Sequence, residues 1–343
     1  MKQRTNSLSF SVALVTAFSC LFASVALAAM IIGTPGDDAL VGTPEGDTID
    51  ARGGDDTVKA LAGDDTVNAG RGRDRVHAGA GVDLVSGGRG ADRLFGGDGK
   101  DTVNGNQGRD RVRGGNGNDT LRGGGGVRGH RADRLHGNAG DDTVFGGPGA
   151  DFITGNLGED TLNGGGGRDA IYAGPGNDVV NGGPGVASGT RRFGDRLHGG
   201  DGGDKINGGN GPDLISGGTG DDVSSGGDGN DRIFANRGRD QSLGGDGNDD
   251  LWAMARGDVT ALGDLMGDSL YGGDGNDTFH VRDGESDIVD CGAGVDRVIA
   301  DQYDVVDLSC EAARIRRAVL TAPSADDPKE RSTESPAGDR KES

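Results

Sequence analysis

The chain is poor in the residues that fill ordinary protein interiors. Aromatics make up 4% of its 343 residues and the whole hydrophobic set only 32%, which excludes a conventional thick core. That scarcity, combined with a formal charge of −21, would ordinarily mark a disordered chain. Neither H-E-x-x-H nor G-x-S-x-G occurs, which removes two familiar signatures of hydrolytic enzymes. Beyond the first thirty residues, no segment is apolar enough to cross a membrane. What the chain has instead is glycine, 72 residues of it, and a strict period. Length alone would suggest two or three domains, but internal repetition overrules such a count.

The first thirty residues read as a processing signal. Lys2 and Arg4 form a basic start, an apolar stretch runs from Leu8 to Leu27, and Ala26-Leu27-Ala28 supplies a small-residue cleavage site. A signal peptide is expected over 1–28, with cleavage after Ala28. An uncleaved anchor fits less well, because the stretch is rich in small residues and ends in A-x-A, and Ala17-Phe18-Ser19 poorly suits lipidation at Cys20. The mature protein is therefore expected to be secreted, with no stable membrane insertion.

From Gly33 the chain can be cut into units reading G-G-x-G-x-D-x-U-x, where U is a large apolar residue. Clean examples are GGDGKDTVN (Gly96 to Asn104), GGNGNDTLR (Gly114 to Arg122) and GGDGNDTFH (Gly272 to His280). There are 27 units up to Ile299, and all 27 carry Asp at the sixth position. The eighth position is apolar in 25, Ser224 and Ser242 being the exceptions. Glycine permits the backbone angles of a tight turn and lets carbonyls approach an ion closely. The x-U-x triplet is enough for a short strand, with U inward and its neighbours outward. One such strand buries nothing alone, whereas stacked copies do, so the expected architecture is a thin all-β solenoid with two parallel sheets over a single-file core.

This pattern resembles the RTX, or hemolysin-type, calcium-binding nonapeptide repeats, and the resemblance spans residues 29–299. It implies a right-handed parallel β-roll with two units per coil, and Ca²⁺ held between consecutive turns on each edge by aspartate carboxylates and turn carbonyls. Carried onto this chain, the implied metal ligands are Asp38, Asp47, Asp56, Asp65, Asp74, Asp83, Asp92, Asp101, Asp110, Asp119, Asp133, Asp142, Asp151 and Asp160. The series continues with Asp169, Asp178, Asp195, Asp204, Asp213, Asp222, Asp231, Asp240, Asp249, Asp268, Asp277, Asp287 and Asp296. All-oxygen ligation of irregular geometry suits calcium better than magnesium. These residues are 27 of the 56 acidic ones, and without their charges the balance would move from −21 to +6. Uncompensated carboxylates stacked at about 4.8 Å would repel, so calcium is expected to drive folding.

Family members often carry an enzyme or toxin domain. Only about four residues separate the expected cleavage site from the first repeat, so no catalytic domain is expected before the repeats. Pairs such as Asp55-Asp56 fall at repeat positions five and six and read as ligand positions, not acid/base couples. Four units exceed nine residues, with the largest insertions at Gly123 to Asp133, Gly182 to Asp195 and Ala253 to Asp268. Such loops are where a specific function would be grafted. Chance accounts for the adhesion-like Arg256-Gly257-Asp258 in a composition this biased.

Cys291 and Cys310 are expected to pair in an exported protein, contributing on the order of 3 kcal/mol. They would tie a C-terminal cap (300–320) over the open sheet edge, ahead of a polar, disordered tail (321–343). His77, His136, His198 and His280 all occupy the outward ninth position several coils apart, so they cannot converge on one metal.

With two units per coil, odd and even units line opposite faces. Even units give Thr48, Thr66, Leu84, Thr102, Thr120, Thr143 and Thr161 at the seventh position, beside a largely Asn-bearing ninth row. Odd units give Arg75, Arg93, Arg111 and Arg134 in succession, flanked by His77, Phe95, Arg113 and His136. Threonine suits strands and arginine can offset acidic edges; the sharper expectation is an anionic polymer, such as an acidic surface polysaccharide, on the arginine face. Nucleic acid is not expected, given the net negative charge, and an ice- or water-ordering role for the Thr/Asn face is a weaker option. The sequence thus leads to a secreted calcium-binding structural or surface-interaction protein and not an enzyme, with a polysaccharide-binding adhesin or a polysaccharide-modifying enzyme as alternatives.

Overall fold

Outside the insertions, eighteen residues separate an aspartate from the next one on its own edge, and the computed structural model stacks the chain at that period. It describes residues 27–125, 132–184, 194–253, 267–310 and 312–315. Nearly all of the leader, most of each insertion (including Arg256-Gly257-Asp258) and the tail lie outside the described residues. Thirty strands, numbered β1 to β30 in chain order, are the only regular elements among them. Odd-numbered strands form one sheet of fifteen, from β1 (Met30–Ile32) to β29 (Val305–Val306). Even-numbered strands form the other, from β2 (Ala39–Val41) to β30 (Ala312–Ile315). Every pairing is parallel, and Thr48↔Thr66 and Thr57↔Arg75 give the 18-residue register that places two units in each coil.

The strands are longer than the x-U-x triplet suggested. In β5 (Thr66–Arg71) the pattern is Thr-Val-Asn-Ala-Gly-Arg, with Val67 and Ala69 both buried. Pairing thus continues through the first three residues of the next unit, and position one faces the interior beside the large apolar residue. Ala51, Ala60, Ala69 and Ala78 occupy it fully buried. Position two lies at positive φ: the six non-glycine residues with positive φ (Arg52, Leu61, Asn106, Asn138, Asn156 and Asn236) all sit there. Four are asparagine, the non-glycine residue that tolerates this region best. The tight turn is confined to positions four to six.

The core is a column made mostly of Val, Ile and Leu, and it divides in two. One cluster runs from Leu40 to Ile233, the other from Leu251 to Ala300. The division falls beside Ser224 and Ser242, which pair directly between β21 (Val223–Asp228) and β23 (Gln241–Asp246). Both serines are buried and neither hydroxyl has a partner. Each site therefore loses apolar burial and also leaves a polar group unsatisfied, worth roughly 1–3 kcal/mol. Replacing both by valine is expected to raise the midpoint of thermal unfolding in calcium and to slow proteolysis of the neighbouring turns. An unchanged midpoint would show that the core is not weakened here.

Residues beyond Ile299 do more than cover an edge. β29 pairs with β27 (Ile288–Asp290) and β30 with β28 (Arg297–Ala300), adding one more imperfect coil. The Cys291–Cys310 disulfide, with Cα atoms 5.2 Å apart, ties that coil to the one before it.

Candidate metal centre: two buried carboxylate columns

Each repeat ends its turn with an aspartate whose side chain folds back under the turn. The backbone N–H of Asp38 donates to Oδ1 of Asp56 at 2.8 Å, that of Asp56 to Asp74 at 2.9 Å, and that of Asp74 to Asp92 at 2.9 Å. A second column on the other edge runs from Asp47 through Asp65 and Asp83 in the same way. The long insertions do not interrupt either column: Asp110 N–H reaches Asp133 at 2.7 Å across 23 residues, and Asp240 reaches Asp268 at 2.8 Å across 28. All 27 sequence-identified aspartates are buried, none more than 6% exposed.

The second carboxylate oxygen is the unusual one. In most of the series, Asp56, Asp65, Asp74, Asp213, Asp231, Asp277 and Asp287 among them, Oδ2 is buried and accepts no hydrogen bond. It packs against position one of its own unit, so a Cβ at Gly96 would fall on Asp101 Oδ2, and one at Gly114 on Asp119 Oδ2. The first coil differs: Thr34 and Thr43 N–H groups donate to Oδ2 of Asp38 and Asp47, closing the columns at their N-terminal ends.

Burial without a compensating donor disfavours the charged form. Desolvation, with the charge of the stacked neighbours, lifts Asp56, Asp92 and Asp160 to about 6, Asp119 and Asp204 to about 7, and Asp213 to about 8. The effect is largest near the last coils, where burial lifts Asp268 to about 10 and Asp287 to about 9. Backbone N–H donation to Oδ1 pulls the other way throughout, without overcoming desolvation. A metal-free column of carboxylates is therefore an unstable arrangement, and the donor set, hard oxygen only, fits calcium. Among the described residues no three His, Cys, Asp or Glu side chains gather at one point, so a bound cation would draw on main-chain carbonyls as well.

The column also contains a member that the repeat count missed. Asp287 N–H donates to Asp304 Oδ1 at 3.3 Å, so Asp304 ends the second column, and Asp301, 1% exposed, lies beside it with its own Oδ2 unpartnered. The fragment Asp304-Val305-Val306-Asp307 repeats D-x-U-x, but its 17-residue spacing from Asp287 hides it from a search at 18.

Eight segments match the family model for the RTX calcium-binding nonapeptide repeat, in its four-copy form: 32–67, 59–94, 95–127, 131–162, 154–186, 192–224, 216–251 and 263–288. The chain belongs to the RTX calcium-binding repeat family. No curated protein matches it. Membership implies calcium binding, and the RTX turns are the ones that bear the two carboxylate columns. No helix among the described residues is long and apolar enough to cross a membrane.

The outer faces of this RTX roll follow the parity of the units. Thr48, Thr66, Leu84, Thr102, Thr120, Thr143 and Thr161 lie in register on one sheet. Arg75↔Arg93↔Arg111↔Arg134 lie in register on the other. The four histidines stay apart as expected, yet they are not isolated surface groups. His77 stacks on Phe95 at 4.5 Å, His280 on Trp252 at 3.6 Å, and His280 Nε2 meets Asp250 Oδ1 at 3.0 Å. Parallel in-register pairing brings like rows to one strand spacing, so rings at the ninth position become successive rungs.

Proposed function

We propose that this protein is a secreted, calcium-binding structural protein whose roll is assembled by calcium, and that the sixth-position aspartates hold the ions through Oδ2. Main-chain carbonyls of the same turns complete the ligand set, and several ions line each edge. The observation that carries this reading is the pair of unbroken carboxylate columns, buried and, in most members, with Oδ2 lacking a donor. No catalytic role is proposed, because the displaced pKa values follow the repeat and mark ligand positions, not a single cleft. The basic-then-apolar leader ending in Ala26-Leu27-Ala28 supports export. Calcium titration followed by calorimetry and native mass spectrometry tests the assignment. Several ions should bind, magnesium should not replace them, and the paired Asp101→Asn and Asp119→Asn variant should bind fewer. Unchanged stoichiometry in that variant would remove these aspartates from the ligand set.

A second reading, a polysaccharide-binding adhesin, is favoured by one feature of the outer surface. Arg75, Arg93, Arg111 and Arg134 stand side by side on neighbouring strands, and like charges directly opposite each other are unfavourable in a sheet unless something offsets them.

A further inference from the structure

The arginine row is flanked on its turn edge by a second, shorter row. The fifth positions of successive turns there are Asp55, Arg73, Ala91 and Arg109. Arg73 is engaged by Asp55, with its N–H 2.8 Å from Oδ1 and Nη2 3.1 Å from Oδ2. Ala91 is too short to fill its place, and a cleft of about 480 Å³ opens over it. Its walls carry six guanidinium groups, from Arg73, Arg75, Arg93, Arg109, Arg111 and Arg134. The last five have no ion-pair partner among the described residues. The two column aspartates in the wall, Asp92 and Asp110, are buried, and each receives a backbone N–H at Oδ1. Partial burial, with the charges of Arg75 and of Lys59 opposite it on the neighbouring strand, holds His77 below its ordinary pKa. Asp55, held by Arg73, is the one exposed carboxylate among the cleft's lining residues, and the arginines outnumber it.

We infer that this cleft binds an extended acidic polysaccharide bearing a carboxylate on each sugar, running along the roll axis with Ala91 as its floor. The inference rests on the anionic-polymer reading of the arginine face and narrows it to one site and one class of ligand. A guanidinium fork pairs with a carboxylate through two parallel hydrogen bonds. The forks recur once per coil, about 4.8 Å, and a pyranose chain advances by a similar length per residue, so successive carboxylates meet successive arginines. Duplex DNA is out of step, since its phosphates advance by about 3.4 Å per strand.

The test uses the calcium-loaded full chain, a six-residue glucuronate oligomer, a neutral glucose oligomer of equal length and a short single-stranded DNA, with binding measured by calorimetry. The glucuronate should bind and the neutral oligomer should not. The pair Arg93→Glu and Arg111→Glu should weaken binding about ten- to a hundredfold, and Arg93→Gln with Arg111→Gln should weaken it less. Ala91→Trp, which fills the cleft and keeps every arginine, should also weaken it, while Arg196→Glu, several coils away, should not. Circular dichroism in calcium confirms that each variant is folded. Full binding by Ala91→Trp together with loss in the arginine pair would overturn the cleft while leaving the face reading intact. Unchanged binding in both variants would overturn both, and equal or tighter binding of DNA would overturn the ligand class.

Discussion

Removing calcium is expected to abolish the β-structure of the whole roll, not of single turns. Each coil contributes two carboxylates to the columns, and most of those buried oxygens have no donor from the protein. Taking an unpaired carboxylate out of water costs several kcal/mol even after relaxation. Against that, each unit buries one large apolar side chain, worth roughly 2 kcal/mol, while ordering nine residues. Because each coil touches only its neighbours, loss of the ions removes the same support at every level. Circular dichroism and hydrogen exchange in excess chelator should therefore report an unfolded chain, with full recovery when calcium is returned. Recovery should be steep in calcium concentration, since binding to the folded state alone shifts the folding equilibrium. Ordered β-structure persisting without calcium would refute the scheme.

The calcium-free chain should also gain order as the solution is made more acidic. Many of the repeat aspartates have folded-state values near 6 to 8, for example Asp92, Asp119 and Asp213, against 3.8 for the free side chain. A raised folded value means that the folded form binds more protons, so its stability falls as pH rises. The contribution is fully present below about 3.8 and is lost as pH climbs through 6 to 8. Protons thus neutralise the columns in place of the metal. At the acid extreme the 35 Lys and Arg charges lose their counterparts, so the largest gain should lie between neutrality and about pH 5. The calcium-loaded protein should show the opposite slope, because calcium must displace those protons and binds more weakly in acid. Thermal melts of both forms across this range test the pair of slopes. Destabilisation of the calcium-free chain on acidification would show that the columns are not protonated in the fold.

Most of the architecture was legible in the sequence because a period of nine leaves few choices. Asp at position six and U at position eight fix which residues turn and which point inward, and the register Thr48↔Thr66 follows from two units per coil. The gap at Ser224 and Ser242 could be read for the same reason. What escaped depends on backbone geometry that side-chain type does not announce. Glycine at position one reads as turn chemistry; in the structure that position lies inside the roll against a carboxylate, and Ala51 and Ala69 occupy it fully buried. Asp304 was hidden by a spacing one residue short. The arginine row was visible, but Arg73 and Arg109 join it only once the turn edge is folded beside the sheet face.

The 18-residue register also makes the molecule a ruler with one permitted graduation. Deleting residues 87–104, two whole units, would shorten the roll by about 4.8 Å and leave every downstream residue on its own side. Deleting nine would move the downstream threonines to the arginine side and the downstream arginines to the threonine side. Length in this protein can change only in whole coils if the chemistry of its two sides is to stay separate.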